Sequence, residues 1–207
     1  MESVAAEAEV FIRDYIGSFT SALDSLDMET MTRIVETLWQ AYQNDRQIFF
    51  FGNGGSAASA SHIVTDLTKG ALGHRGDAPA RPVRAFSLTD NVALITAWAN
   101  DVGFDSVFVG QLRPYLREGD VLFGISASGN SENAVRAIRY GREAGAMTIA
   151  LTGFDGGKLA KLADLSIIIS SNHYGIIEDL HMQIGHVICY LFRQLIEEKL
   201  AAEPIAG

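Results

Sequence analysis

The amino-acid sequence predicts an α/β fold in which helices cover both faces of a parallel sheet. Three features carry that prediction. Five short apolar runs recur between residues 46 and 200, separated by stretches of helical texture, and strands alternating with helices build parallel sheets. The first, Gln47-Ile48-Phe49-Phe50-Phe51, is a continuous apolar run, as a strand buried on both faces is. Two of the five runs break off into small polar loops, Gly52-Asn53-Gly54-Gly55-Ser56 and Ser126-Ala127-Ser128-Gly129-Asn130-Ser131, each followed by a helical pattern.

The elements follow in order. Residues 4–22 place Val4, Val10, Phe11, Tyr15, Ile16 and Phe19 near one helical face. Residues 28–44 repeat the pattern with Met31, Ile34, Val35, Leu38, Trp39 and Tyr42. These two helices read as packing and assembly elements, an N-terminal extension over 1–45 ahead of an α/β core over 46–200 in a single domain spanning 1–207. Gln47–Phe51 is the first strand, and helical texture runs from the glycine loop through Thr68. Pro82–Leu88 is the second strand and 90–99 a helix. Val121–Ile125 is the third strand, Glu132–Ala144 a helix, Met147–Leu151 the fourth strand, Leu165–Ile169 the fifth, and 175–200 a long closing helix. The segment 70–82, GALGHRGDAPARP, is the one long loop, and long loops in compact domains are often functional.

Composition narrows the classes. The chain has 207 residues, enough to bury a core without staples, and its 48% hydrophobic and 20% charged residues are globular values. With 25 acidic against 16 basic residues the net charge is −9, and no Lys/Arg run concentrates the cations, so nucleic acid is not an expected partner. No apolar run reaches the length of a membrane span. The acidic, amphipathic start is unlike a signal peptide, and the one cysteine, Cys189, excludes an internal disulfide framework; both point to the cytoplasm.

In an open parallel sheet ligands sit beyond the carboxyl ends of the strands, where both polar loops fall. Glycines let backbone N–H groups approach a ligand, a helix N-terminus favours an anion, and the hydroxyls of Ser56, Ser126, Ser128 and Ser131 add donors. Either loop alone is most simply a strand–helix turn with an N-cap serine. Two on one sheet favour binding of a phosphate monoester. Neither a GxxxxGK[ST] nor a GxGxxG pattern occurs, which disfavours nucleoside triphosphates and dinucleotides.

His62 and Asp66 are four apart on the helix after the glycine loop, so they share a face. On the last helix Glu178 and His181 are three apart, and His186 lies eight beyond Glu178, roughly on the same side. A carboxylate beside a histidine can move a proton between neighbouring carbons, and two histidines with two carboxylates can hold a divalent metal. Each histidine alone is more often a surface pair or a satisfied core residue. Asn100-Asp101 could bind a polyol or, by default, cap the next helix. Cys189 reads as a small buried hydrophobe, His74 and Arg75 as solvated loop residues, and His173 as uninformative.

FFGNGGSAASASH, SLTDNVALITAWANDVGF, GISASGNSENAVRAI, LTGFDGGKLAKLAD and IEDLHMQIGH together resemble the sugar isomerase (SIS) family, and within it the phosphoheptose isomerase group, over about residues 4–200. The resemblance implies a five-stranded parallel sheet flanked by helices, and a homotetramer with N-terminal helices in assembly and sites between subunits. The activity implied is interconversion of D-sedoheptulose 7-phosphate and D-glycero-D-manno-heptose 7-phosphate through an enediol. It implies substrate contacts at Asn53, Gly54, Gly55, Ser56, Asn100, Asp101, Ser126, Ala127, Ser128, Ser131 and Glu178. It further implies catalysis by Asp66 and His186, and zinc at His62, Asp66, Glu178 and His186. Three positions depart from the family pattern. Asp66 stands where a Glu is usual, Glu178 where a Gln is usual, and Ala127 where the serine loop has Thr. The Asp66 side chain is one methylene shorter, and the Glu178 exchange adds negative charge that favours a cation. Non-catalytic relatives offer alternatives, a tetramer that binds a replication initiator or a module that senses a sugar phosphate. The retained His186 favours chemistry.

Overall fold

The computed structural model of the chain describes residues 2–72 and 81–202. Helices α1 (Glu2–Asp24) and α2 (Met28–Gln43) precede β1 (Ile48–Phe51), α3 (Gly55–Thr68) and a 3-10 turn at Gly70–Leu72. Then come β2 (Ala85–Ser87), α4 (Val92–Asp101), a 3-10 turn at Phe104–Ser106, α5 (Val107–Leu112) and β3 (Val121–Ser126). The chain continues through α6 (Glu132–Glu143), β4 (Met147–Thr152), α7 (Gly157–Leu162), β5 (Leu165–Ile168) and α8 (Tyr174–Ala202). His74 and Arg75, in the expected long loop, lie outside the described residues. The two six-residue helices α5 and α7 have no counterpart in the sequence prediction, because fewer than two turns leave too few positions to show a period.

All five strands are parallel, in the order β2-β1-β3-β4-β5. β1, β3 and, after Met147, β4 are buried on both faces, whereas the edge strands β2 and β5 are partly exposed at Phe86 and Ile168; alternate residues of the buried strands serve different layers. Ile48, Phe50, Phe123, Ile125, Ile149 and Leu151 belong to a core with α2, α3 and α8, through Ile34, Leu38, Ile63, Leu67, Ile184 and Phe192. Phe49, Phe51, Leu122 and Ala150 belong to a second core with α5, α6 and α7, through Phe108, Leu112, Val135, Ile138 and Leu159. Each of the fully buried phenylalanines stabilises the fold by about 2–3 kcal/mol through apolar area removed from water.

The N-terminal helix is only half engaged. Tyr15, Phe19 and Leu23 of α1 pack on the first core, and the Tyr15 hydroxyl donates to Asp179 Oδ2 of α8 at 2.6 Å. Val4, Val10, Phe11, Ile12 and Ile16 of the same helix are exposed. Among the described residues, no helix is long and apolar enough to cross a membrane.

Candidate functional site

The strand order reverses between β1 and β3, and an open α/β sheet binds ligands at such a switch point. The glycine loop leaves β1 there and the serine loop leaves β3, so the two loops singled out in the sequence are neighbours across that crevice. They are tied together by their side chains. Asn53 and Asn133 exchange amide hydrogen bonds, both 2.9 Å, which latches the glycine loop to the first turn of α6. Asn53 is therefore a strut between the loops, with its amide directed at Asn133. Asn133 is buried and was not singled out from the sequence; its only trace there is a second Asn beside the serine loop, in GNSEN.

Neither loop follows the N-cap serine arrangement. The residue before α3 is Gly54, at φ 56°, with no side-chain cap, and Ser131 precedes α6 without a capping hydrogen bond from its side chain. Instead the Ser126 and Ser131 hydroxyls face each other at 3.5 Å, and Ser128 Oγ accepts from the Asn130 N–H at 3.3 Å. Ser56 is buried in the first turn of α3. Ala127 turns its methyl into the core, and its carbonyl accepts from Gly153 N–H at 2.8 Å. Gly129, at φ 63°, fixes the loop against the turn after β4: a Cβ there would lie 2.1 Å from the Gly156 carbonyl oxygen. Two helix N-termini without side-chain caps, with serine hydroxyls around them, form a cradle suited to an anion.

The second half of the site lies between α3 and α8, which run side by side. A Cβ on Gly185 would meet Ile63 Cγ1 at 2.5 Å, so the helices close to a distance only glycine permits there. That approach sets the register in which α3 and α8 face each other. His62 Nε2 lies 3.1 Å from His186 Nε2 and 3.3 Å from Asp66 Oδ2, and His186 Nε2 lies 3.8 Å from the same oxygen. A tetrahedral zinc with bonds of about 2.0–2.1 Å spaces its ligand atoms about 3.3–3.4 Å apart, so this triangle fits such an ion. Three protein ligands with an open side is the pattern of a catalytic rather than a structural metal site. The triad opens into a cleft of about 390 Å³, bounded further by Gly70, Cys189, Tyr190 and Arg193.

Glu178 does not join this group, contrary to the four-ligand set expected from the resemblance. Its carboxylate lies against the first turn of α3, where a Cβ on Gly55 would be 2.6 Å from Glu178 Oε1. Glu178 and His186 do share a side of α8, but eight residues are about 12 Å of helix rise, so the same side is not the same level. Glu178 belongs to the cradle end and His186 to the triad end.

The remaining histidines and the thiol have other parts. His181 is fully buried and donates through Nε2 to the Thr152 carbonyl at 3.2 Å. Its Nδ1 has no hydrogen-bond partner among the described residues. Burial pushes its pKa down to about 4, with the Thr152 bond opposing in part, so it is a neutral core residue that pins α8 to the end of β4. Cys189 is also buried, and burial, then the nearby Asp66 charge, pushes its thiol up to about 12. Asn100 and Asp101 sit exposed in the last turn of α4, where Asn100 Nδ2 donates to Asp101 Oδ1 at 2.7 Å. They cap no following helix: Gly103 and Ser106 occupy the cap positions of the next two turns.

A family model described as SIS domain matches residues 13–153. A phosphoheptose isomerase of Aquifex aeolicus is 38% identical over 159 residues, which is 77% of this chain and 81% of that one. A probable phosphoheptose isomerase of Thermoplasma acidophilum is 36% identical over 187 residues, 90% of this chain and 98% of the relative. The solved structure of a phosphoheptose isomerase from Neisseria gonorrhoeae superposes with a TM-score of 0.82 at 32% identity, covering 92% of this chain and 99% of that one.

Proposed function

The chain belongs to the SIS domain family, in its phosphoheptose isomerase branch, and on that premise we infer that it is an isomerase interconverting D-sedoheptulose 7-phosphate and D-glycero-D-manno-heptose 7-phosphate. The observation that carries this reading to particular residues is the convergence of His62, Asp66 and His186 on one cleft. The serine cradle formed by Ser56, Ser126, Ser128 and Ser131 takes the phosphate, with the Gly54–Gly55 turn beside it. Asn100 and Asp101, which are exposed, are held for substrate hydroxyls.

Starting from the aldose, Asp66 removes the C2 proton, leaving an enediol. His186 carries a proton between O1 and O2, and the proton held by Asp66 returns to C1 to give the ketose. Asp66 Oδ2 faces both imidazoles, which leaves Oδ1 for the substrate. His62 holds the Asp66 carboxylate in place. Zinc held by His62, Asp66 and His186 would polarise the substrate carbonyl, at the expense of Asp66 as a base, since a metal-bound carboxylate is less basic. An isomerase is favoured over a non-catalytic tetramer or a sensing module, because an initiator-binding or sensing role requires no acid–base triad.

We read the chain as one domain, with the 1–45 extension packed on the 46–200 core, working in the cytoplasm as a homotetramer. The exposed apolar face of α1 supports self-association. Ten residues of α3, about 15 Å, separate Ser56 from Asp66, which suits a site completed by a neighbouring subunit. Turnover of sedoheptulose 7-phosphate, assayed with and without zinc, tests the whole reading. Asp66→Asn and His186→Ala should each lower kcat by about 10²–10⁴-fold with the fold intact. If sites are shared, mixed assemblies of Asp66→Asn and Ser126→Ala chains regain activity that neither has alone. Absence of turnover in the wild-type protein under all these conditions would sink the reading.

A further inference from the structure

The triad cleft continues along α8 beyond the residues used above. His186, Cys189, Tyr190 and Arg193 line it at i, i+3, i+4 and i+7, the spacing of a single helix face. Its volume of about 390 Å³ is that of a small-molecule site. Arg193 lies two turns past His186, about 10 Å along the axis and away from the serine cradle. Its side chain is 41% exposed, and its Nε donates to Glu197 Oε1 at 3.1 Å. That bond orients the guanidinium from behind. The two terminal nitrogens have no hydrogen-bond partner among the described residues.

We propose that Arg193 forms an anion-binding subsite at the far end of the triad cleft, distinct from the serine cradle that takes the phosphate of the isomerised sugar, and that it takes the phosphate group of a second ligand whose polyol end reaches the triad from the opposite side. Asp66 within the cleft and Glu197 behind it both repel an anion, so an anion there depends on Arg193, which among the described lining residues carries the permanent positive charge. A guanidinium held at Nε still offers two N–H groups to neighbouring phosphate oxygens. Tyr190, exposed and three residues before Arg193, lines the same cleft. The ligand's polyol part rests on the isomerase reading of the triad. The anion subsite rests on the cleft alone.

Calorimetric titration with orthophosphate and with sedoheptulose 7-phosphate separates the two. It is run on a Ser126→Ala/Ser131→Ala background that weakens the cradle. Orthophosphate should still bind, Arg193→Ala should weaken it about 10- to 100-fold, and Arg193→Lys should recover part of the loss. Glu197→Gln, which removes the competing carboxylate, should tighten it. A matching loss for the sugar phosphate assigns the subsite to a sugar-borne phosphate; a loss confined to orthophosphate assigns it to the free anion. If Arg193→Ala and Glu197→Gln both leave orthophosphate affinity unchanged, the subsite does not exist. Arg193-dependent binding in a chain without turnover overturns the isomerase reading and leaves the subsite standing.

Discussion

The serine cradle presents backbone and short hydroxyls, fixed by glycine contacts and the Asn53–Asn133 latch. The triad presents two imidazoles and a carboxylate from two helices, joined across 124 residues of sequence. The cradle is set by main-chain conformation, and a Cβ added at Gly52 or Gly129 meets neighbouring backbone. The triad is set by helix register, so its side chains can change while the helices stay packed. One region should lose the fold before it loses chemistry, and the other the reverse.

The largest effect expected from this contrast is at Gly129. Alanine there meets both a left-handed backbone and the Gly156 carbonyl oxygen, 2.1 Å from its Cβ. The backbone conformation costs about 1–2 kcal/mol and the forced shift of the turn after β4 about 1–3 kcal/mol more. Urea unfolding of Gly129→Ala should show a loss on the order of 3 kcal/mol, whereas Asp66→Asn should stay within about 1 kcal/mol of wild type. Equal losses would erase the distinction between the two regions.

His181 sharpens it next, because this residue ties the triad helix to the sheet. Burial holds its pKa at about 4 in the folded chain, against 6.5 for an ordinary histidine. The unfolded chain therefore binds the proton more readily. Its contribution to stability is complete above pH 6.5 and is lost as the pH falls from there to about 4, for a total of about 3 kcal/mol. Denaturant midpoints measured between pH 7 and pH 4 should fall accordingly. His181→Gln, which keeps a donor for the Thr152 carbonyl but does not titrate, should flatten the profile over this window. An unchanged slope in the variant would place the acid sensitivity elsewhere.

The same contrast explains what is legible in the amino-acid sequence. Strands such as Ile48–Phe51 were legible because burial on both faces leaves an unbroken apolar run that a glycine cluster ends. The loops were legible because glycine and serine spacing is local. His62 and Asp66 were legible as an i,i+4 pair. Their union with His186 was not, since it depends on Gly185 letting α8 approach Ile63, and nothing in a helical pattern gives the level at which two distant helices meet. Within one chain Glu178 lies apart from His186 for that reason: periodicity reports the face of a helix and not the partner beside each turn. Asn133 was missed because a buried amide pair 80 residues apart leaves no spacing to recognise.

The smallest effect concerns Glu178, the acidic side chain at the cradle end. Its carboxylate lies at the first turn of α3, where the helix dipole favours an anion and where a substrate phosphate would also be drawn. The carboxylate and the phosphate repel one another. A helix-terminus charge of this kind is worth about 0.3–1 kcal/mol, so Glu178→Gln should lower KM about two- to fivefold and leave kcat unchanged, because the triad lies two turns away. A fall in kcat would mean that Glu178 reaches the reacting carbons, and so joins the triad of a neighbouring subunit. A rise in KM would mean that its carboxylate accepts hydrogen bonds from the sugar. Either result would join the two halves of the site through this one residue, whereas the expected result keeps the phosphate end and the proton-transfer end independent.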